Sequence, residues 1–261
     1  MSEIQPAYST SPVLNAVDCI GHGFFGMQGG VSSGIYESLN CGFSSADERE
    51  KVECNRQRVA FCFGLKADAL YSLKQAHTHR VVSLRQNSAA QFDVEADGMV
   101  SAVPGVGLGV LGADCAPVLF VDPIHQVIGA AHSGWKGALT GINEAVIASM
   151  CELGAKPCDI QAAIGPAMQV QHYEVKSDFE KQFKAESMLD SDAFFERRSA
   201  KIYFNTSAYI RARLQLAGLE KIDVSEEDTF CQTRKYFSYR RSCQQGNKDY
   251  GRQISVISLR P

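Results

Sequence analysis

Two side chains capable of chemistry bracket an apolar hairpin in segment 109–137, GVLGADCAPVLFVDPIHQVIGAAHSGWKG. Cys115 opens the first apolar run and His132 closes the second, with the Asp122-Pro123 turn between them. Antiparallel pairing makes the far ends of the two runs neighbours, so a thiol and an imidazole can face each other. The spacing fits half a metal site or a nucleophile–base dyad and does not choose between them. Packing is the plainer role for a lone Cys or His, but glycine and polar clusters at 112–114 and 133–137 mark backbone that turns sharply or approaches a ligand. A third candidate is His77 in LKQAHTH, residues 73–79, just past another apolar run. His77 and His79 have the same parity on an extended chain and can point the same way. Two His and one Cys are a ligand set of catalytic zinc sites, which keep a fourth position for water or substrate. Such an ion lowers the pKa of bound water to about 7.

The elements that must position these groups are strand-rich. Short apolar runs at 69–73, 81–84, 98–103, 107–112, 117–121 and 127–131 are separated by turn residues such as Pro104-Gly105 and Asp122-Pro123. The spacing predicts a helix over 47–63, with Asp47 as N-cap and Gly64 as stop. A second helix follows over 139–153: Leu139, Ile142, Val146, Met150 and Leu153 share one face, and Gly154 closes it. Residues 159–164 read as a strand and 174–189 as a mostly exposed helix. A further helix runs to Ala217, capped by Asn205 or Thr206 and stopped by Gly218. Residues 253–259 form a buried strand, whereas 22–46, rich in Gly and Ser, read as turns and short strands. These features predict one mixed α/β domain over residues 1–261, without internal repeats.

Composition removes several function classes. The chain has 261 residues, 45 % hydrophobic and 21 % charged, with a net charge of -3. It lacks the basic excess of a nucleic-acid binder and any apolar run near the roughly 20 residues of a membrane helix. The N-terminal stretch has neither the basic nor the apolar region of a signal peptide. Nine cysteines at irregular spacing, with no CxxC pair, argue for free thiols in a reducing cytosol. The expected protein is cytoplasmic, binds no nucleic acid or membrane, and is a monomer by default.

The motifs, in order along the chain, are GGVSSGIYESLN (29–40), Asn55-Arg56, QxHxxxV (75–81), ADGMV (96–100), ADCAPVLFVDP (113–123), GAAHSGWKG (129–137), GP (165–166), YEV (173–175) and FSYRR…GRQIS (237–255). In these the chain resembles the YfiH-like family, whose members carry the names polyphenol oxidase (laccase-like domain), purine nucleoside phosphorylase and peptidoglycan editing factor. The resemblance covers nearly the whole chain. It implies a central pair of mixed β-sheets flanked by helices, the CNF1/YfiH-like fold, with His77, Cys115 and His132 as metal ligands and His79 outside the set. His22, His125 and His172 are then surface or turn residues.

The resemblance implies zinc-dependent chemistry on purine nucleosides: phosphorolysis of adenosine, inosine and methylthioadenosine, and adenosine deamination, in which activated water attacks the ring carbon bearing the amine. Asn40 and the Gly29-Gly30 turn resemble a loop lining the site. Lys136, at a helix start, and Arg240 and Arg241 suit phosphate or carboxylate. Asp114 is a candidate proton carrier beside the catalytic Cys115 and His132. Arg56 and Glu174, in or beside predicted helices, are more simply salt-bridge residues. Where many relatives have Thr-Arg before the glycine pair, this chain has Gly26-Met27-Gln28, so Met27 cannot supply that charge.

Other activities fit parts of the pattern. A zinc amidohydrolase editing a mis-incorporated L-Ser in a cell-wall precursor would keep the metal and change the substrate. Copper can occupy a His and Cys site, but multicopper oxidation needs more histidines than the six present. A metal-free Cys115–His132 hydrolase would resist chelators and succumb to alkylation. A zinc-stabilised binding module would close its site with a fourth protein ligand, and none is evident.

Overall fold

In the computed structural model, which describes residues 5–85 and 93–260, the apolar hairpin is the centre of the molecule. Strands Ala116–Asp122 and Val127–Ser133 are buried at every residue, as befits strands covered on both faces. They pair antiparallel with Pro117 opposite His132. Around them a six-stranded mixed sheet runs in the order Lys221–Val224, Gln161–Ile164, Ala116–Asp122, Val127–Ser133, Gly98–Ser101, Val81–Leu84. Its two outer pairs are parallel and its inner pairs antiparallel.

A second mixed sheet of five strands has the order Tyr8–Ser9, Ile20–Phe25, Gln253–Leu259, Gly107–Gly112, Leu70–Tyr71. The two sheets face each other. Met99, Leu119, Val121, Ile128 and Ala130 of the first pack in one cluster with Phe24, Leu108, Val110, Ile257 and Leu259 of the second. Alternation along Gln253–Leu259 sends Ile254 and Val256 the other way, against Val59 and Ala60 of helix Arg49–Phe61. Helices Ile142–Glu152 and Thr206–Leu216 cover the far side of the six-stranded sheet through Val146, Met150, Ile210 and Leu214. Full burial of each such side chain contributes about 1.5–3 kcal/mol.

The expected pair of mixed sheets with outer helices is therefore present. A third sheet, of three short antiparallel strands Glu174–Val175, Lys201–Phe204 and Phe195–Arg198, is an addition. The predicted helix over 139–153 is two helices, Trp135–Thr140 and Ile142–Glu152. Gly141 at φ 93° breaks them, a left-handed conformation that glycine adopts without Cβ strain. Segment 174–189 contains helix Ser177–Glu186, mostly exposed as expected, with Glu180 and Phe183 buried on its inner side. Asn205 is the cap of Thr206–Leu216, its Oδ1 accepting from the Ala208 N–H at 2.9 Å. Among the described residues no helix is long and apolar enough to cross a membrane.

Candidate metal centre

The hairpin ends bring Cys115 and His132 together, and the chain after Leu70–Tyr71 delivers His77. One donor atom from each lies within 4.8 Å of the others. Cys115 Sγ is 3.8 Å from His77 Nε2, close to the roughly 3.5 Å between ligands of a tetrahedral ion with bonds of about 2.0–2.3 Å. The two imidazoles meet edge to face, centroids 4.9 Å apart. His132 is buried, Cys115 half-buried and His77 exposed, so the group opens to solvent on the His77 side. His79 is exposed and lies outside it.

Asp97 organises both histidines. Its side chain is fully buried, where an unpaired carboxylate would be very costly. Oδ1 accepts from His132 Nδ1 at 2.7 Å and from the His77 N–H at 3.1 Å. Oδ2 accepts from the Thr78 N–H at 2.7 Å, Thr78 Oγ1 at 3.0 Å and the Ala76 N–H at 3.1 Å. His132 Nδ1 is thus committed, and Nε2 is the nitrogen turned toward Cys115. The same carboxylate gathers the N–H groups on either side of His77, whose φ of 57° is left-handed, a conformation that costs a non-glycine residue about 1–2 kcal/mol. Sequence reasoning quoted ADGMV and gave Asp97 no role. The available signal was an acid at the mouth of an apolar strand, where burial demands a set of donors.

Gly134 completes the cradle. A Cβ there would sit 2.8 Å from Cys115 Sγ and 3.1 Å from His77 Cδ2, so the space around the sulfur exists because residue 134 has no side chain. The charges are matched as well. Burial alone would raise the Cys115 thiol, but the His132 and His77 imidazoles outweigh it and hold it at about 6. Burial would lower His132, and the Cys115 thiolate with Asp97 lifts it to about 9. Burial would raise Asp97, and its hydrogen bonds from His132 and Thr78 bring it down to about 2. A soft thiolate, two imidazoles and a carboxylate behind one imidazole form a donor set that fits a borderline metal ion. Among the described residues this group holds three protein donors.

The other site residues named from sequence divide into two kinds. Asn40 is fully buried: its Nδ2 donates to Ser45 and Asp47, and its Oδ1 accepts from the Gly42 and Arg252 N–H groups. Arg241 donates to the carbonyls of Thr229, Phe230 and Tyr236. Asp114 accepts from Thr229 Oγ1, Ser238 Oγ and the Arg240 N–H, and burial raises its carboxyl. The polar atoms of these three are directed at the protein itself. Lys136 is exposed, and Arg240 donates to the Glu174 carbonyl with its guanidinium 5.6 Å from the Tyr173 ring centre. Arg56, read as a salt-bridge residue, is buried and donates to the carbonyls of Cys41 and Leu70. Glu174 pairs with Lys201 at the surface. His22, read as surface or turn, is a buried strand residue accepting from the Ser11 N–H.

A cavity of about 590 Å³ is lined by Trp135, Tyr173, Phe179 and Arg240. Trp135 follows Gly134, and the Tyr173 hydroxyl is raised by burial and by the charge of Cys115, so the cavity abuts the His and Cys cluster. Sequence reasoning assigned neither Trp135 nor Tyr173 a role.

The chain is similar in sequence and in fold to known proteins. The family model described as multi-copper polyphenol oxidoreductase laccase matches residues 21–260. A Deinococcus radiodurans protein named purine nucleoside phosphorylase is 37 % identical over 250 residues, which is 95 % of this chain and 93 % of that one. Escherichia coli purine nucleoside phosphorylase YfiH is 32 % identical, covering 88 % of this chain and 90 % of its own. The crystal structure of the Bacillus licheniformis hypothetical protein YfiH superposes with a TM-score of 0.86 at 29 % identity, over 95 % of this chain and 94 % of that one.

Proposed function

This chain belongs to the multi-copper polyphenol oxidoreductase laccase family, the YfiH-like family, and from that premise we propose that it is a zinc-dependent cytoplasmic enzyme acting on purine nucleosides. Its reactions are phosphorolysis of adenosine, inosine and methylthioadenosine, and deamination of adenosine. One observation carries the reading: the His77, Cys115 and His132 donors, fixed from behind by Asp97, stand beside an aromatic cavity with an arginine on its wall. Zinc held by these three residues supplies a Lewis acid that makes water nucleophilic near neutral pH.

The chain's own residues do the rest. Trp135, Tyr173 and Phe179 offer ring faces to a purine, and Arg240 and exposed Lys136 offer positive charge to phosphate. Asp114 is assigned a positioning role rather than proton transfer, because its oxygens already accept three hydrogen bonds that fix Arg240 and the turn before Cys115. The inward Arg241 leaves one arginine at the cavity, which favours a nucleoside over the larger anionic cell-wall precursor. Zinc is preferred to multicopper chemistry because His125 and His172 pair with Asp122 and Asp228, His22 takes a backbone N–H and His79 stands exposed outside the group, leaving two of the six histidines at Cys115.

The test is release of free base from inosine by the purified protein with phosphate, before and after chelation. Activity lost on chelation and restored by zinc supports the proposal. Activity that survives chelation and disappears on alkylation would replace it with a Cys115–His132 nucleophile–base pair.

A further inference from the structure

A second trio of His, Asp and Cys lies apart from the first. His172, Asp228 and Cys231 each place one donor atom within 4.8 Å of the others. They come from two segments already fastened together: the Thr229 N–H donates to the Ala167 carbonyl at 3.1 Å, and Ala167 and Asp228 form a β-bridge. Asp228 is buried, with Oδ1 accepting from the Phe230 N–H at 2.8 Å and Oδ2 2.6 Å from His172 Nδ1. The Phe230 ring packs against the His172 ring, centroids 5.2 Å apart. Cys231 is exposed, so an ion can reach the group.

We propose that His172, Asp228 and Cys231 form a second cation site, for a thiophilic divalent ion of the zinc and cadmium class. Mixed nitrogen, oxygen and sulfur donors select that class over magnesium or calcium, which prefer oxygen alone. Cys231 releases its proton to solvent as the ion binds, and the ion's positive charge offsets the burial and the Asp228 carboxylate that oppose thiolate formation. The location gives the site a consequence. Tyr173, next to His172, lines the cavity, and Thr229, next to Asp228, donates to Asp114 beside Cys115 at 2.8 Å. An ion at this site fastens the cavity wall to the loop that supports Asp114.

The experiment titrates cadmium into the zinc-loaded protein while following the ultraviolet thiolate-to-cadmium band and the zinc released. The expected result in wild type is one further equivalent of bound cadmium with zinc retained. Cys231→Ser and His172→Ala each lose that equivalent, and Cys158→Ser, which changes another exposed thiol, keeps it. No band in wild type overturns the proposal. So does a band of equal size in Cys231→Ser, or one matched by stoichiometric zinc release and insensitive to Cys231.

Discussion

The molecule contains the same three residue types twice, with opposite effects on the thiol. At Cys115, two imidazoles face the sulfur and Asp97 stands behind one of them, so the thiol is held at about 6. At Cys231, burial and the nearby Asp228 push the thiol up. The difference is the order of the groups. A carboxylate behind an imidazole strengthens its positive character toward the sulfur, whereas a carboxylate beside the sulfur opposes thiolate formation. The Cys115 group is ready to give up a proton and accept an ion, and the Cys231 group needs the ion's own charge to do so.

The largest effect within this comparison should follow Asp97→Asn. The substitution removes the charge that fixes His132 Nδ1 and leaves an amide among donors that require an acceptor. Metal affinity or activity should fall about 10–100-fold, the range for such outer partners. Equilibrium metal titration checks it; the equivalent Asp228→Asn should leave the first centre unchanged. Gly134→Ala should come next. Its methyl would intrude at 2.8 Å on the sulfur, costing about 1–3 kcal/mol by overpacking, measurable as a lower Tm together with weaker metal binding.

A third prediction separates the two thiols by pH in metal-free protein. Thiolate is the reactive form, so a lowered Cys115 value keeps its alkylation fast above about pH 6 and slows it below. Cys231, pushed up by burial and by Asp228, should react appreciably only in more alkaline solution than Cys115. Mass spectrometry of each modified peptide reads both profiles, and coincident profiles would remove the distinction. The smallest effect is expected from Arg240→Ala. It should raise KM for phosphate several-fold with kcat little changed, since the loss is of binding charge at the cavity rather than of the centre; steady-state kinetics over phosphate concentration decides this.

Much of this arrangement was legible in the sequence where pattern and chemistry coincide. The strands at 107–112, 116–122, 127–133 and 253–259 are apolar runs, and the hairpin turn places Cys115 near His132 by antiparallel geometry alone. Strand Ile20–Phe25 was hidden by its glycines, which leave bare backbone against the rings of Phe63 and Tyr8. Strand Phe195–Arg198 was hidden by its charges, because it is an exposed edge with nothing to alternate against. Asn40 and Arg241 show the deeper limit. A polar residue in a motif suits a ligand and a backbone carbonyl equally well, and only the fold shows that Arg241 turns inward while Arg240 stays at the cavity. Asp97 was missed for the related reason that its five donors come from two stretches of chain, 76–78 and 132, both far from it in sequence.

The most direct test of the central claim is the zinc content of purified wild type and Cys115→Ala, measured by elemental analysis after removal of loosely bound ions, with Cys231→Ser alongside. The account predicts that Cys115→Ala loses the tightly held zinc that wild type and Cys231→Ser both retain. Zinc retained by Cys115→Ala, or a wild type that carries none and still turns over nucleoside, would contradict it.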